Sequence, residues 1–285
     1  MGTNYEGVAS YKNSNVGRGV IAIVLAVVAF FAGEAAGFIT KSGSLNASAL
    51  GFAFRSVVAL IPFLILGGGK WFKFDKKTVG KTLKFTLPLL ITNIALALLL
   101  LYTVVKSGVS EGALGRVCTT VYIAVLVGFN EELIFRGLLF QGIHTVMGKK
   151  KSAMLISAII SSVVFGLVHV ITSLDFSNII GFLTAFMKTF ETSMFGFVLC
   201  YCCYFFKDIR GAIIFHAIFD WVVLVMTVLN DGSGNLNISY TTTDAKKGVG
   251  QMIMFGLMII IYAPCTIKSF KAFKKAEPSE GLFAE

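Results

Sequence analysis

FNEELIFRGLLF, residues 129–140, sets two adjacent acids and an arginine inside an otherwise apolar run. The run extends from about 117 to 141, and crossing a bilayer takes about 20 predominantly apolar residues. Charges at that depth are costly unless they are paired or face a water-filled cavity. Glu132 and Arg136 stand four residues apart on one helix face and can neutralise each other. Glu131 is turned about 100° from Glu132 and is free to point elsewhere. One acid then anchors the arginine and the other is available for chemistry. The alternative is that all three form one structural network, and this helix alone does not separate the two.

The rest of the chain repeats the apolar pattern. Of its 285 residues, 56% are hydrophobic and 14% charged, with a mean hydropathy of +0.81. Soluble domains carry about 25% charged residues. The composition therefore predicts an all-α polytopic membrane protein, a bundle of about eight transmembrane helices forming a single integral membrane domain over 1–285. The candidate spans are 19–40, 49–69, 85–105, 117–141, 153–173, 178–206, 211–230 and 249–267. The sixth is too long for one straight crossing and is expected to begin as an interfacial or kinked helix. The first has no cleavage site and reads as a retained helix. The tail AEPSEGLFAE, 276–285, reads as a frayed end.

The net charge of +10 is read as loop anchoring, not as a nucleic-acid footprint. Lys70, Lys73, Lys76, Lys77, Lys81 and Lys84 crowd the second connection. Lys149, Lys150 and Lys151 fill the fourth, Lys207 and Arg210 the sixth, and Lys268, Lys271, Lys274 and Lys275 the end of the chain. The odd-numbered connections hold Lys41, Lys106, Arg116, Lys246 and Lys247. The positive-inside rule then places both termini in the cytoplasm, with the cell membrane as the expected location. The five cysteines form no disulfide framework; Cys200, Cys202 and Cys203 read as small hydrophobes.

Ionisable residues within spans are functional candidates where a partner can be named. Glu34 and Arg55 sit at matching depths near one short loop, which suits a structural ion pair. Lys188 and Glu191 are spaced i, i+3 and can neutralise each other. His144, beside a basic loop, reads as solvated. His169 closes FGLVH, 165–169, in the fifth span. His216 opens HAIFD, 216–220, in the seventh, with Asp220 one turn on. Two histidines in separate spans, with a free glutamate in a third, need each other or a wet cavity.

Together these residues resemble the CAAX protease and bacteriocin-processing enzyme (CPBP, or Abi) family of intramembrane endopeptidases, whose motifs are EExxxR, FxxxH and HxxxN or HxxxD. They read here as EELIFR at 131–136, FGLVH at 165–169 and HAIFD at 216–220. The resemblance covers about 117–230, the catalytic core it implies. It implies hydrolysis of a peptide bond in a membrane-associated peptide or protein, possibly lipidated. Glu131 and His169 would activate a water, His216 and Asp220 would hold the oxyanion, and Glu132 and Arg136 would support the site. Relatives cut prenylated CAAX tails in eukaryotes and are linked in bacteria to peptide processing, bacteriocin immunity and regulation of surface proteins.

The chemistry agrees in part. A preorganised imidazole donor to an oxyanion contributes roughly 3–4 kcal/mol. An ionised Asp220 would repel the oxyanion, so it either stays neutral or acts by orienting His216. The expectation is a site without a cofactor, opening toward the cytosol. The alternative is zinc held by Glu131, His169, His216 and Asp220. A proton- or ion-coupled transporter is a reading of another class, disfavoured by the lack of an internal repeat. One difficulty is depth. Counted along their spans, Glu131 lies roughly 16 Å and His169 roughly 27 Å from the inner edge, so the boundary of the fifth span is expected to be off by more than a turn.

Overall fold

The computed structural model describes residues 5–40, 45–72, 76–107, 112–231 and 240–284. Among these the regular structure is entirely helical. The helices are α1 (Tyr5–Thr40), α2 (Leu45–Ile65), α3 (Lys76–Phe85), α4 (Leu87–Ser107), α5 (Ala113–Glu132), α6 (Gln141–Met147), α7 (Ala153–Val168), α8 (Ile179–Phe206), α9 (Arg210–Asp231) and α10 (Ala245–Lys275). A π-helical segment, Leu133–Phe140, joins α5 to α6 without a break. Each of the eight apolar stretches falls on one of these helices. By length and apolarity alone, α1, α2, α8 and α10 each suffice to cross a membrane, and α3 with α4, bent by 71°, passes the same test as a pair, as a broken span or a re-entrant loop. The fourth stretch bears three charges, and α7 has only 16 residues. The chain is a polytopic bundle of membrane helices.

Small residues let the helices meet backbone to backbone. A Cβ at Gly128 of α5 would lie 2.9 Å from the Ala217 nitrogen of α9. Gly19 of α1 and Gly142 of α6 face each other as closely, since a Cβ on either would reach the other's carbonyl oxygen within 2.9 Å. These contacts bring the motif-bearing helices into one core, built around Phe63, Phe135, Phe140, Phe165, Phe195 and Phe215. Apolar side chains cover much of the outside as well, among them Val24, Leu98 and Leu257. That is the pattern of a bundle solvated by lipid rather than water.

The helix ends gather at two faces. At the lysine-rich face the Ile209 amide donates to the Trp71 carbonyl at 3.2 Å, Thr78 bonds Asp208, and Lys149 meets Glu280 at 3.2 Å. At the opposite face Thr241 donates to the Ser173 carbonyl. There the Asn178 side chain caps α8 and Asp244 caps α10, each satisfying amides that a helix start leaves open.

Three expectations need correction. The sixth stretch is one uninterrupted helix, α8, of 28 residues, capped at its start by Asn178, where length alone suggested a break. The tail is docked, not frayed: Phe283 is fully buried, the Leu282 amide donates to Gln141, and Tyr204 shares a 2.6 Å hydrogen bond with Ser279. His144 is buried, not solvated, with Nε2 donating to the Ser279 carbonyl at 3.1 Å. The tail supplies the cover that sequence position could not reveal.

Candidate active site

Glu131 and Glu132 close α5, where the helix passes into its π-helical segment. Such segments insert an extra residue into the turn and recur at functional sites. The two acids part as their spacing predicts. Glu132 is fully buried and meets Arg136 Nη1 at 3.0 Å. Glu131 keeps 18% of its side chain exposed. The Arg136 guanidinium lies 4.1 Å from the centre of the Phe165 ring, a cation–π contact that spreads its charge over an aromatic face. Gly196 of α8 leaves it room, since a Cβ there would lie 2.9 Å from Nη2. The π-helical segment is tied to α7 by Ser161, which donates to the Phe135 carbonyl at 2.7 Å.

His216 joins the two acids. Its Nδ1 lies 2.7 Å from Glu132 Oε1. Its Nε2 lies 3.5 Å from Glu131 Oε2 and 3.4 Å from Asp220 Oδ2. The ring is only 2% exposed and packs edge-on against Phe165 and Phe195. Glu132 is therefore more than the arginine's partner: it sets the orientation of His216. The spacing within one helix could not show this, because the two residues lie 84 positions apart.

His169 follows the last residue of α7. Its Nδ1 donates to the Phe165 carbonyl at 2.7 Å, which leaves Nε2 as the acceptor of the neutral ring. Glu131, His169 and Asp220 line one cavity of about 240 Å³ with Phe52, Arg55, Val127, Val223, Leu224 and Tyr240. The depth difficulty is resolved in the fourth helix and not, as expected, in the fifth, which begins at Ala153 as read from the sequence. The fourth apolar helix continues to Met147, so Glu131 and His169 each lie 16 residues, about 24 Å, from the lysine-rich ends of their helices.

The cavity lies to one side of Glu131. Beyond Glu131 its lining runs through Val127, Val223 and Tyr240, toward the face where α5 begins and α9 ends. Toward the lysine-rich face lie the buried Glu132, Arg136, Phe140 and Gln141, and the tail packs behind them, with Phe283 6.5 Å from Phe63.

Lys188 and Glu191 pair at 2.9 Å as expected, and Lys188 also covers the Tyr240 ring at 4.5 Å. Arg55 lines the cavity and lies over Phe52 and Phe30; its expected partnership with Glu34 lies outside the described residues. Tyr240 carried no signal in the sequence, because it reaches the cavity from a connection without helical periodicity. Among the described residues no set of three or more His, Cys, Asp and Glu side chains is gathered at metal-binding spacing.

No curated protein and no solved structure matches the chain. A family model, described as type II CAAX prenyl endopeptidase Rce1-like, matches residues 113–222. That interval contains all three motifs, from Glu131 to Asp220, and the description of the matching family model agrees with the family that the motifs resemble.

Proposed function

We propose that the protein is an intramembrane endopeptidase that hydrolyses a peptide bond of a membrane-associated polypeptide by a water activated on Glu131. One observation carries the reading. Glu131, His169 and Asp220 line a single cavity, and His216 bridges Glu131 and Asp220 from below while Glu132 holds its other nitrogen. Such an arrangement supplies a base, an oxyanion donor and a means of fixing the donor's direction.

In the proposed reaction Glu131 takes a proton from water as the water oxygen attacks the carbonyl carbon. His169 Nε2 accepts the water's second hydrogen as a hydrogen bond and so aims the lone pair. The carbonyl π electrons move onto oxygen, and His216 donates to that oxyanion from Nε2. When the tetrahedral intermediate collapses, the C–N bond breaks and Glu131 returns its proton to the departing amine. Asp220 acts through His216: its carboxylate keeps Nε2–H directed into the cavity. The zinc alternative asks His169, His216, Glu131 and Asp220 to converge on one point, and the bond from His216 Nδ1 to Glu132 is compatible with either route, so the chelator arm of the test decides between them.

The test is cleavage of a library of membrane-inserted peptides by the purified, reconstituted protein, read by mass spectrometry. Wild type should cleave with and without a chelator, and Glu131→Gln should not cleave while melting like wild type. Cleavage by Glu131→Gln at the wild-type rate would remove the base assignment. Loss of wild-type activity on chelation, restored by zinc, would replace the metal-free mechanism.

A further inference from the structure

At the lysine-rich face a groove of about 530 Å³ lies between α3, the start of α4, the end of α8 and α10. It shares no lining residue with the cavity at Glu131. Three lysines reach it from two elements: Lys81 and Lys84 from α3, and Lys268 from α10. Lys81 and Lys84 stand three residues apart and so share one helix face. Lys268 Nζ lies 5.3 Å from the centre of the Phe85 ring. Phe85 in turn packs on Tyr201 of α8, with ring centres 4.4 Å apart, and Phe206 completes an aromatic wall. The three lysines, Pro88 and Pro264 are all exposed, so the groove is open along that side.

Its charge is uncompensated. Among the described residues no carboxylate pairs with Lys81, Lys84 or Lys268. Asp208 is engaged by Arg210 and Thr78, and Glu280 by Lys149. Three like charges beside an aromatic wall repel one another, and an anion between them removes that repulsion. The surroundings decide which kind of anion. α3 carries four lysines in ten residues and leaves the apolar α4 at 71°. It therefore belongs to the membrane–water boundary, where basic helices meet anionic headgroups. It is seated there by the buried Thr82, since a Cβ on Gly211 of α9 would lie 2.7 Å from the Thr82 Cβ. One turn deeper, Ile91 follows Pro88 and Ile260 precedes Pro264, both exposed. The groove thus continues as an apolar track along α4 and α10.

We infer that this groove binds one anionic phospholipid from the leaflet at the lysine-rich face. Its phosphate sits among Lys81, Lys84 and Lys268, its glycerol against Phe85 and Tyr201, and its acyl chains run past Pro88 and Pro264 along α4 and α10. A soluble anion would use the lysines and leave the aromatic wall and the apolar track uncovered. A zwitterionic lipid would use the track but bring its own cation to the lysines. The site stands independently of the peptidase reading.

Native mass spectrometry of the purified full chain in detergent counts the bound lipid directly. Phosphatidylglycerol and phosphatidylcholine with identical acyl chains are titrated in turn. Wild type should hold one phosphatidylglycerol about tenfold or more tightly than phosphatidylcholine. The triple variant Lys81→Gln, Lys84→Gln, Lys268→Gln should lose that preference. A control triple, Lys271→Gln, Lys274→Gln, Lys275→Gln, removes the same charge from the same face outside the groove and should keep it. All six side chains are exposed, and Lys268→Gln alone repeats the measurement should the groove triple fold poorly. Glycerol 3-phosphate, the headgroup without chains, should displace the lipid only at about a hundredfold higher concentration or more, because it buries no apolar surface. Equal affinity for the two lipids overturns the inference. Equal loss of preference in both triple variants overturns it in favour of diffuse charge across the face. Displacement by glycerol 3-phosphate at concentrations matching the lipid's would make this a soluble-anion site instead. A groove triple that changes only the fraction of dimer, with lipid binding intact, would assign the groove to a second copy of the chain.

Discussion

At the scale of single residues, the two adjacent glutamates differ because the helix turns them onto different neighbours. Glu132 is sealed between Arg136 and His216, and removing one partner of a buried charge pair costs about 3–5 kcal/mol. Glu132→Gln should therefore lower the melting temperature in detergent strongly and reduce cleavage as a consequence. Glu131→Gln should leave melting nearly unchanged and abolish cleavage. Equal melting of the two variants would return both acids to a common structural network. Asp220→Asn separates orientation from charge. Its amide oxygen still accepts from His216 Nε2, so activity should stay within about tenfold of wild type, measured as initial rate against pH. A complete loss would show that the carboxylate itself enters the reaction.

At the scale of elements, the docked tail is the contact that most needs a test. It is held at α6 by His144, beyond the apolar span, and burial pushes that ring down to about 4 from an ordinary 6.5. Lys207 acts in the same direction, while the hydrogen bond to the Ser279 carbonyl opposes it. The docked state thus holds fewer protons than the released one between those values. Stability from docking is complete above about pH 6.5 and falls as pH drops toward 4. Tail proteolysis in detergent should rise over that window in wild type, and a flat profile would exclude His144 as the cause. Phe283→Ala should release the tail at neutral pH, since truncating a buried phenylalanine costs about 3 kcal/mol or more. Where two helices touch by backbone, size is the constraint. Gly128→Leu should drive α5 from α9, separating Glu131 from His216, and so lose cleavage even where the protein inserts.

At the scale of the whole molecule, the exposed apolar surface is the lipid contact. Leu257, near the middle of α10, is 56% exposed. An arginine at the centre of a membrane helix costs about 2.5–3.5 kcal/mol on insertion scales. Leu257→Arg should accordingly lower the membrane-integrated fraction, measured by alkaline extraction, while Lys271→Arg at the basic face leaves it unchanged. Integration unaffected by Leu257→Arg would place that side of α10 against protein or water rather than lipid.

Apolar stretches and charge asymmetry were local properties, so the sequence by itself determined the helical class, the segments that become helices and the lysine-rich face. Pairings at helical spacing were determined in the same way: Glu132 with Arg136, Lys188 with Glu191, and His216 with Asp220 all stand three or four residues apart and meet in the structure. The motif order pointed to the residues that line or underlie one cavity, though not to how they touch. The tertiary structure alone decided that Glu132 grips His216, that Tyr240 and Arg55 join the lining, and that the tail closes the basic face. These contacts cross between helices, where partners are selected by the shapes of packed surfaces, such as the close approach at Gly128, and not by spacing along the chain.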